Sequence, residues 1–315
     1  GLADPIGRKL KITPAERPIL ITAAVAAGFG SIFGTPVAGT IFSIEVMRLG
    51  SPRYGALLPS LLCAVLAERV TTQLWVIPRH PYVHTPLPPL EAGLWFKVVI
   101  ASIVLGLLAR LFVVSLRTMR GAAERWIKHR IVRPLVGGTA VIVLTLLTGT
   151  TVYNGLGMPS IDLALSGHAV PALAPFFKIL FTAVTTGFGF IGGEVTPLFF
   201  VGATAGSALA GLLELPSDMM AKLGFVALLA GGTHAPFAGV MIGMELFGGD
   251  TPVYPATAGI LAYVFSGPHG IYAPSAADPS ERAPLTLLRE AMGFTGSRGK
   301  GPHGHTGSDL HVGTS

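Results

Sequence analysis

The sequence predicts an all-α, polytopic membrane protein, on three observations. Half of its 315 residues are apolar and only 12% are charged, with 41 Gly and 25 Pro, a composition too oily for an ordinary soluble domain. The apolar residues fall in long runs at 18–47, 54–67, 93–116, 134–152, 170–213, 221–247 and 251–266, and a bilayer span needs roughly 20 of them. Sliding the chain on itself by 200 residues lays GTPVAGTIFSIEV over HAPFAGVMIGMEL, so that Pro36, Ala38, Gly39 and Glu45 fall on Pro236, Ala238, Gly239 and Glu245, and Tyr54 falls on Tyr254.

The first run, 18–47, and its counterpart, 221–247, each carry a proline after a Gly-rich stretch: Pro36 after GFGSIFG, Pro236 after LLAGG. Duplicated halves with short Gly/Pro-interrupted helices that meet near the bilayer midplane are a common plan for transporters. Their relative orientation depends on the parity of crossings between them, which the runs do not fix. Glu45 and Glu245 sit near the far ends of equivalent segments and are expected to be structural, end-of-helix acids that reach the interface. The run 54–67 holds the only cysteine, Cys63. It excludes a disulfide or a cysteine metal site and is expected to be a small buried hydrophobe.

After the run 93–116, Arg117, Arg120, Arg125, Lys128, Arg130 and Arg133 face a single acid, Glu124. These residues contribute much of the formal charge of +6, and the positive-inside rule makes 117–133 a cytoplasmic loop. A nucleic-acid surface would interleave aromatics, and only Trp126 is available.

The run 170–213 contains one charge between Lys178 and Glu214, namely Glu194. An ionisable group at that depth costs roughly 3 kcal/mol on the lenient insertion scale, which suggests function. Gly192 and Gly193 before it permit unusual backbone angles, and Pro197 after it suits the first turn of a new helix. The segment therefore reads helix, break, helix. The N–H groups that open the second helix near Val195 have no intrahelical partner and carry roughly half a positive charge, so a dehydrated anion is favoured there. Thr196 is expected either to cap this helix or to offer its hydroxyl to the ion. Phe199 and Phe200 present positive ring edges that suit an anion, although packing is the commoner use. Gly202 with Gly206, and Gly239 with Gly243, have the spacing of close helix packing. Gly187, Gly189 and Gly192 spell G-x-G-x-x-G without a β-α-β unit around them, so the match is coincidental.

Beyond residue 273 the apolar runs stop. Residues 274–315 are expected to form a polar, disordered, cytoplasmic tail, whose His303, His305 and His311 lack a scaffold for a metal. Protease, lipase and ATPase motifs are absent, so neither an enzyme nor an organic cofactor is expected.

Four segments carry a resemblance: GFGSIFGTPVAGTIFSIEV, GFGFIGGEVTPLFFVGATAG, the Pro-Ala-Gly helix at 236–246, and SGPHGIY at 266–272. Together they resemble the CLC family of chloride channels and proton-coupled anion antiporters, over about residues 1–272. Gly-Gly-Glu-Val-Thr-Pro is similar to the fluoride/proton antiporter branch, whereas most chloride-handling members look like Gly-Gly-x-Phe-Ala-Pro there. The resemblance implies a CLC-like inverted repeat, with broken helices at the midplane, over residues 1–273. It implies a homodimer in the cell membrane, the bacterial inner membrane, exporting fluoride against protons. The N–H groups of Glu194 and Val195 would line the anion path, Glu194 and Thr196 would tune ion choice and proton coupling, Phe200 would turn edge-on to fluoride, and Tyr272 would put its hydroxyl on the ion. The family's Gly-Arg-Glu-Gly segment and earlier helices have no counterpart here, which implies that the chain begins after them. Val46 stands where many chloride/proton antiporters have an acidic relay. A chloride channel or antiporter of the same family, and a membrane fragment or subunit that transports nothing, are the alternatives.

Overall fold

The computed structural model describes residues 3–47, 54–77, 87–248 and 251–272. The tail 274–315 lies outside the described residues. Among those described the chain is entirely helical: α1 (Ala3–Lys9), α2 (Arg17–Phe33), α3 (Pro36–Met47), α4 (Leu57–Arg69), α5 (Ala92–Trp126), α6 (Val132–Thr148), α7 (Met158–Leu165), α8 (Ala174–Gly187), α9 (Val195–Leu213), α10 (Ser217–Thr233), α11 (Pro236–Phe247) and α12 (Val253–Phe265). The region 54–74, where α4 is flanked by a 3₁₀ turn and a π turn, and helices α5 and α9 are long and apolar enough to cross a membrane. Helices α3 and α11, at 12 residues each, rise only about 18 Å and fall short of the roughly 30 Å hydrocarbon core.

The longest apolar runs are each two helices. In 18–47, Gly34 adopts φ 70° at the end of α2, and Pro36 starts α3 two residues later. In 221–247, His234 takes the same left-handed turn at φ 59°, and Pro236 starts α11. Glycine normally supplies this cap because it lacks the Cβ that the conformation crowds.

The halves match in packing as well as sequence. Helices α2, α3 and α4 pack on one another as α10, α11 and α12 do. A Cβ on Gly39 would strike the backbone of Ala26 and Gly30, and one on Gly239 would meet Val226 and Ala230, the same positions shifted by 200. The copies have diverged at their ends: Tyr254 is buried and donates to the Pro89 carbonyl at 2.9 Å, while Tyr54 is exposed.

Where the copies meet, α3 packs on α11. Glu45 accepts from the N–H groups of Phe237 and Ala238 at 3.1 and 2.7 Å, and Glu245 accepts from those of Val37 and Ala38 at 3.0 and 2.6 Å. Each carboxylate, near the C-terminus of its own helix, closes the N-terminus of the other. The two helices are therefore antiparallel, and the operation relating the halves reverses their direction. The expectation of interface-seeking acids is corrected: orphan N–H groups with a partial positive charge hold the carboxylates inside the repeat contact.

Two other expectations change. The segment 117–133 is not all loop, because α5 continues to Trp126 and turns extended only at Ile127 (φ −122°, ψ 98°). Good helix formers such as Met119, Arg120, Ala122 and Ala123 carry it on. Cys63 is exposed rather than buried, on an outward face of α4 that also presents Leu58, Leu62 and Leu66.

Close helix contact accounts for the small-residue spacings. Cβ atoms at Gly202 and Gly206 would overlap the Gly224 and Met220 carbonyls of α10, and one at Gly243 would strike Val226. An aromatic core links the halves through Phe29, Phe33 and Phe42 on one side and Phe199 and Phe225 on the other.

Candidate anion-binding site

The break between α8 and α9 is built from the end of α8. Phe188 N–H donates to Val184 O, Gly189 N–H to Thr186 O and Phe190 N–H to Thr185 O. Gly189 then turns at φ 96°, and the chain leaves the helix. The unusual backbone angle is thus at Gly189 and not at Gly192 or Gly193, which avoid positive φ. A Cβ at either of those glycines would meet nothing within 4 Å, so they leave the backbone before Glu194 uncovered.

Helix α9 opens at Val195 with Glu194 as its N-cap at φ −97°, ψ −13°. N-caps that close their own helix adopt an extended backbone and use a short side chain; Glu194 does neither and makes no capping bond. Its carboxylate turns instead to α5, where Arg120 Nη2 lies 3.5 Å from Oε1, the Glu194 side chain being 16% exposed and that of Arg120 57%. Thr196 does not cap α9 either, and among the described residues its hydroxyl makes no hydrogen bond. Pro197 removes the third donor of the first turn. Among the described residues the Val195 and Thr196 N–H groups have no acceptor.

Tyr272 is half-buried, its ring 6.2 Å from that of Phe42 in an edge contact, and it lies within electrostatic reach of Glu194. The segment carrying it is tied to the end of α10 by Ile271 N–H donating to Gly232 O at 2.8 Å. Phe199 is a packing residue, stacked on Phe225 at 3.7 Å between centroids. Phe200 is fully buried, with Tyr153 edge-on at 6.3 Å and the Lys178 ammonium 5.0 Å from its ring centroid. The break thus holds Glu194, Val195 and Thr196, while Tyr272 packs against Phe42. Glu45 and Glu245 belong to the α3–α11 contact.

Two neighbours escaped the sequence reading. Arg120 was hidden by treating 117–133 as a loop; α5 continues through it, and its backbone N lies 3.1 Å from a Cβ position on Gly187. Lys178 is 1% exposed and donates to Tyr153 O at 3.1 Å and Gly155 O at 2.6 Å. Its signal was the one that exposed Glu194, a lone charge in an apolar run.

Among the described residues, α3, α9 and α11 each begin just after a break inside an apolar run. The first N–H groups of α3 and α11 are closed by Glu245 and Glu45, while those of α9 are left open.

The sequence pattern of the voltage gated chloride channel family matches residues 1–267. The chain belongs to that family. A chloride/fluoride channel protein of Pseudomonas syringae pv. tomato is 39% identical over 281 residues, covering 86% of this chain and 61% of its own. The voltage-gated ClC-type chloride channel ClcB of Salmonella typhimurium is 30% identical over 251 residues, covering 76% and 59%. The chain spans about three fifths of the length of these curated relatives. Among solved structures, a CLC-type fluoride/proton antiporter superposes with a TM-score of 0.81 at 30% identity, over 86% of this chain and 68% of that one. A slow cyanobacterial Cl⁻/H⁺ antiporter matches at 0.68 and 20% identity, over 92% and 68%, which shows the shared fold. The chain is thus a multi-pass membrane protein of a family of anion channels and transporters, with the family's inverted repeat.

Proposed function

We propose that a full-length protein carrying this chain exports fluoride in exchange for protons. The observation that carries this reading is the start of α9: two backbone donors without acceptors, beside a carboxylate that caps nothing and faces Arg120. A small anion that gives up its water needs such donors in return. Glu194 is the group beside the path that can take up and release a proton, and Thr196 supplies a hydroxyl. Tyr272 reaches the ion from the C-terminal side, and Phe200, which the resemblance turns edge-on to fluoride, is here buried against Tyr153 and Lys178.

The fluoride assignment also draws on the Gly-Gly-Glu-Val-Thr-Pro signature and on the likeness to the fluoride/proton antiporter. A chloride/fluoride channel is the second reading, favoured by the name of the Pseudomonas relative. The protein works as a homodimer in the cell membrane, with each subunit holding its own path, and the basic end of α5 and the C-terminal tail face the cytoplasm.

The test is ion flux from proteoliposomes holding the full-length protein, with internal pH followed at the same time. Fluoride efflux that outruns chloride and drives protons the other way is the expected result. Chloride outrunning fluoride would sink the fluoride claim, and fluoride moving without protons would leave a channel.

A further inference from the structure

Along the outer side of α5 and α8 runs an apolar groove of about 570 Å³. One wall is a helical stripe on α5 from Leu111 through Ser115, Thr118 and Ala122 to Trp126, and Phe176 and Leu180 form part of the other. It is open along its length: Leu111 is 43% exposed and Phe176 52%. The fifteen-residue rise from Leu111 to Trp126 is about 22 Å, which equals one leaflet of a bilayer roughly 40–45 Å thick including its headgroups.

The groove is chemically polarised. Its Leu111 end lies in the apolar middle of α5, and its Trp126 end in the basic segment. Trp126 is 83% exposed and projects an indole where such rings favour the headgroup level. Around it the acids are already engaged, Glu124 with Arg133 at 3.9 Å and Glu194 with Arg120 at 3.5 Å. Among the described residues no carboxylate pairs with Arg125, Lys128 or Arg130. A second copy of this chain seated here would bring a like-charged rim against this one, because a two-fold contact apposes the same surface. An anionic headgroup is the complementary occupant.

We propose that the α5–α8 groove binds an anionic phospholipid of the inner leaflet, its acyl chain lying against α5 and its phosphate on Arg125 and Lys128 beside Trp126. The inference is independent of which ion the protein carries.

The experiment uses the purified protein in a mild detergent with phosphatidylglycerol or phosphatidylcholine, each bearing a photoactivatable group on its acyl chain, and maps the labelled peptides. Phosphatidylglycerol should label 111–126 and 176–183 well above phosphatidylcholine. Ala122→Trp, which fills the groove, should suppress that labelling. Arg125→Ser with Lys128→Ser should lower the preference by roughly fivefold per charge removed while leaving phosphatidylcholine labelling unchanged. No labelling of these peptides in the unsubstituted protein would overturn the proposal, because another protein segment must then cover the groove. Equal labelling by the two lipids would overturn the headgroup assignment.

Discussion

Replacing Glu245 by Ala removes the acceptor for two backbone donors at the start of α3. The bonds are 3.0 Å from Val37 and 2.6 Å from Ala38. Hydrogen bonds to a charged group contribute about 1.5–3 kcal/mol each, and a donor left buried without a partner incurs its full desolvation. Val37 is 38% exposed, so water takes over part of its bond and the loss should be about 2–4 kcal/mol rather than the full sum. Glu245→Gln keeps one acceptor oxygen but turns an amide NH₂ toward a donor, so it should cost about half as much. Glu45→Ala should match Glu245→Ala within about 1 kcal/mol, because its bonds at 3.1 and 2.7 Å are the repeat equivalents.

Reversible unfolding in mixed detergent, followed by tryptophan fluorescence, measures these three variants and the double alanine variant. The two carboxylates act at opposite ends of an antiparallel pair, so their losses should add to within about 0.5 kcal/mol. If either alanine variant lost less than about 1 kcal/mol while the other lost several, the crosswise closure would not be holding the halves together.

Four further outcomes follow. Glu194→Gln in the full-length protein should abolish proton-linked fluoride movement, read by simultaneous ion and pH recording, since an amide does not cycle protons; unchanged coupling would remove it from the mechanism. Thr196→Val should lower fluoride permeation relative to chloride, and an unaltered selectivity ratio would remove its hydroxyl from the path. Lys178→Met should destabilise by about 2–4 kcal/mol, because the Tyr153 and Gly155 carbonyls lose their donor; a neutral change in melting would contradict the buried bonds. Gly224→Ala should cost about 1–3 kcal/mol by thermal melting, since its Cβ meets the Gly202 carbonyl across the α9–α10 contact.

What the sequence made legible was whatever depends on local chemistry. Pro36, Pro236 and the Gly-Gly-Glu-Val-Thr-Pro break announce themselves because proline and glycine act on their own backbone, and the repeat survives as identities at fixed spacing. The partners of Glu45, Glu245 and Glu194 lie 193, 207 and 74 residues away respectively, so their roles depend on packing that no local window contains. The exposure of Cys63 has a related reason: which face of α4 is buried is decided by its packing on α2 and α3, which the run 54–67 does not contain. Gly192 and Gly193 were given the wrong task because a glycine pair suggests a turn, whereas Gly189 makes the turn and the pair only keeps space clear.

The crosswise carboxylates also explain why the break before α9 stands apart. Helices α3, α9 and α11 each start at a break inside an apolar run, and each presents N–H groups that must find an acceptor or stay unpaired at a cost. At α3 and α11 the fold supplies the acceptor from the opposite half, and the two-fold relation makes one solution serve both. Helix α9 has no such donated carboxylate. Its own N-cap is a glutamate whose backbone angles prevent it from closing the helix, and Pro197 reduces the open donors to the first two. Among the described residues the first two donors of α9 stay open beside a side chain that can carry a proton, which is itself paired with the Arg120 guanidinium. An anion from outside the chain is what would complete α9 in the way Glu45 completes α11.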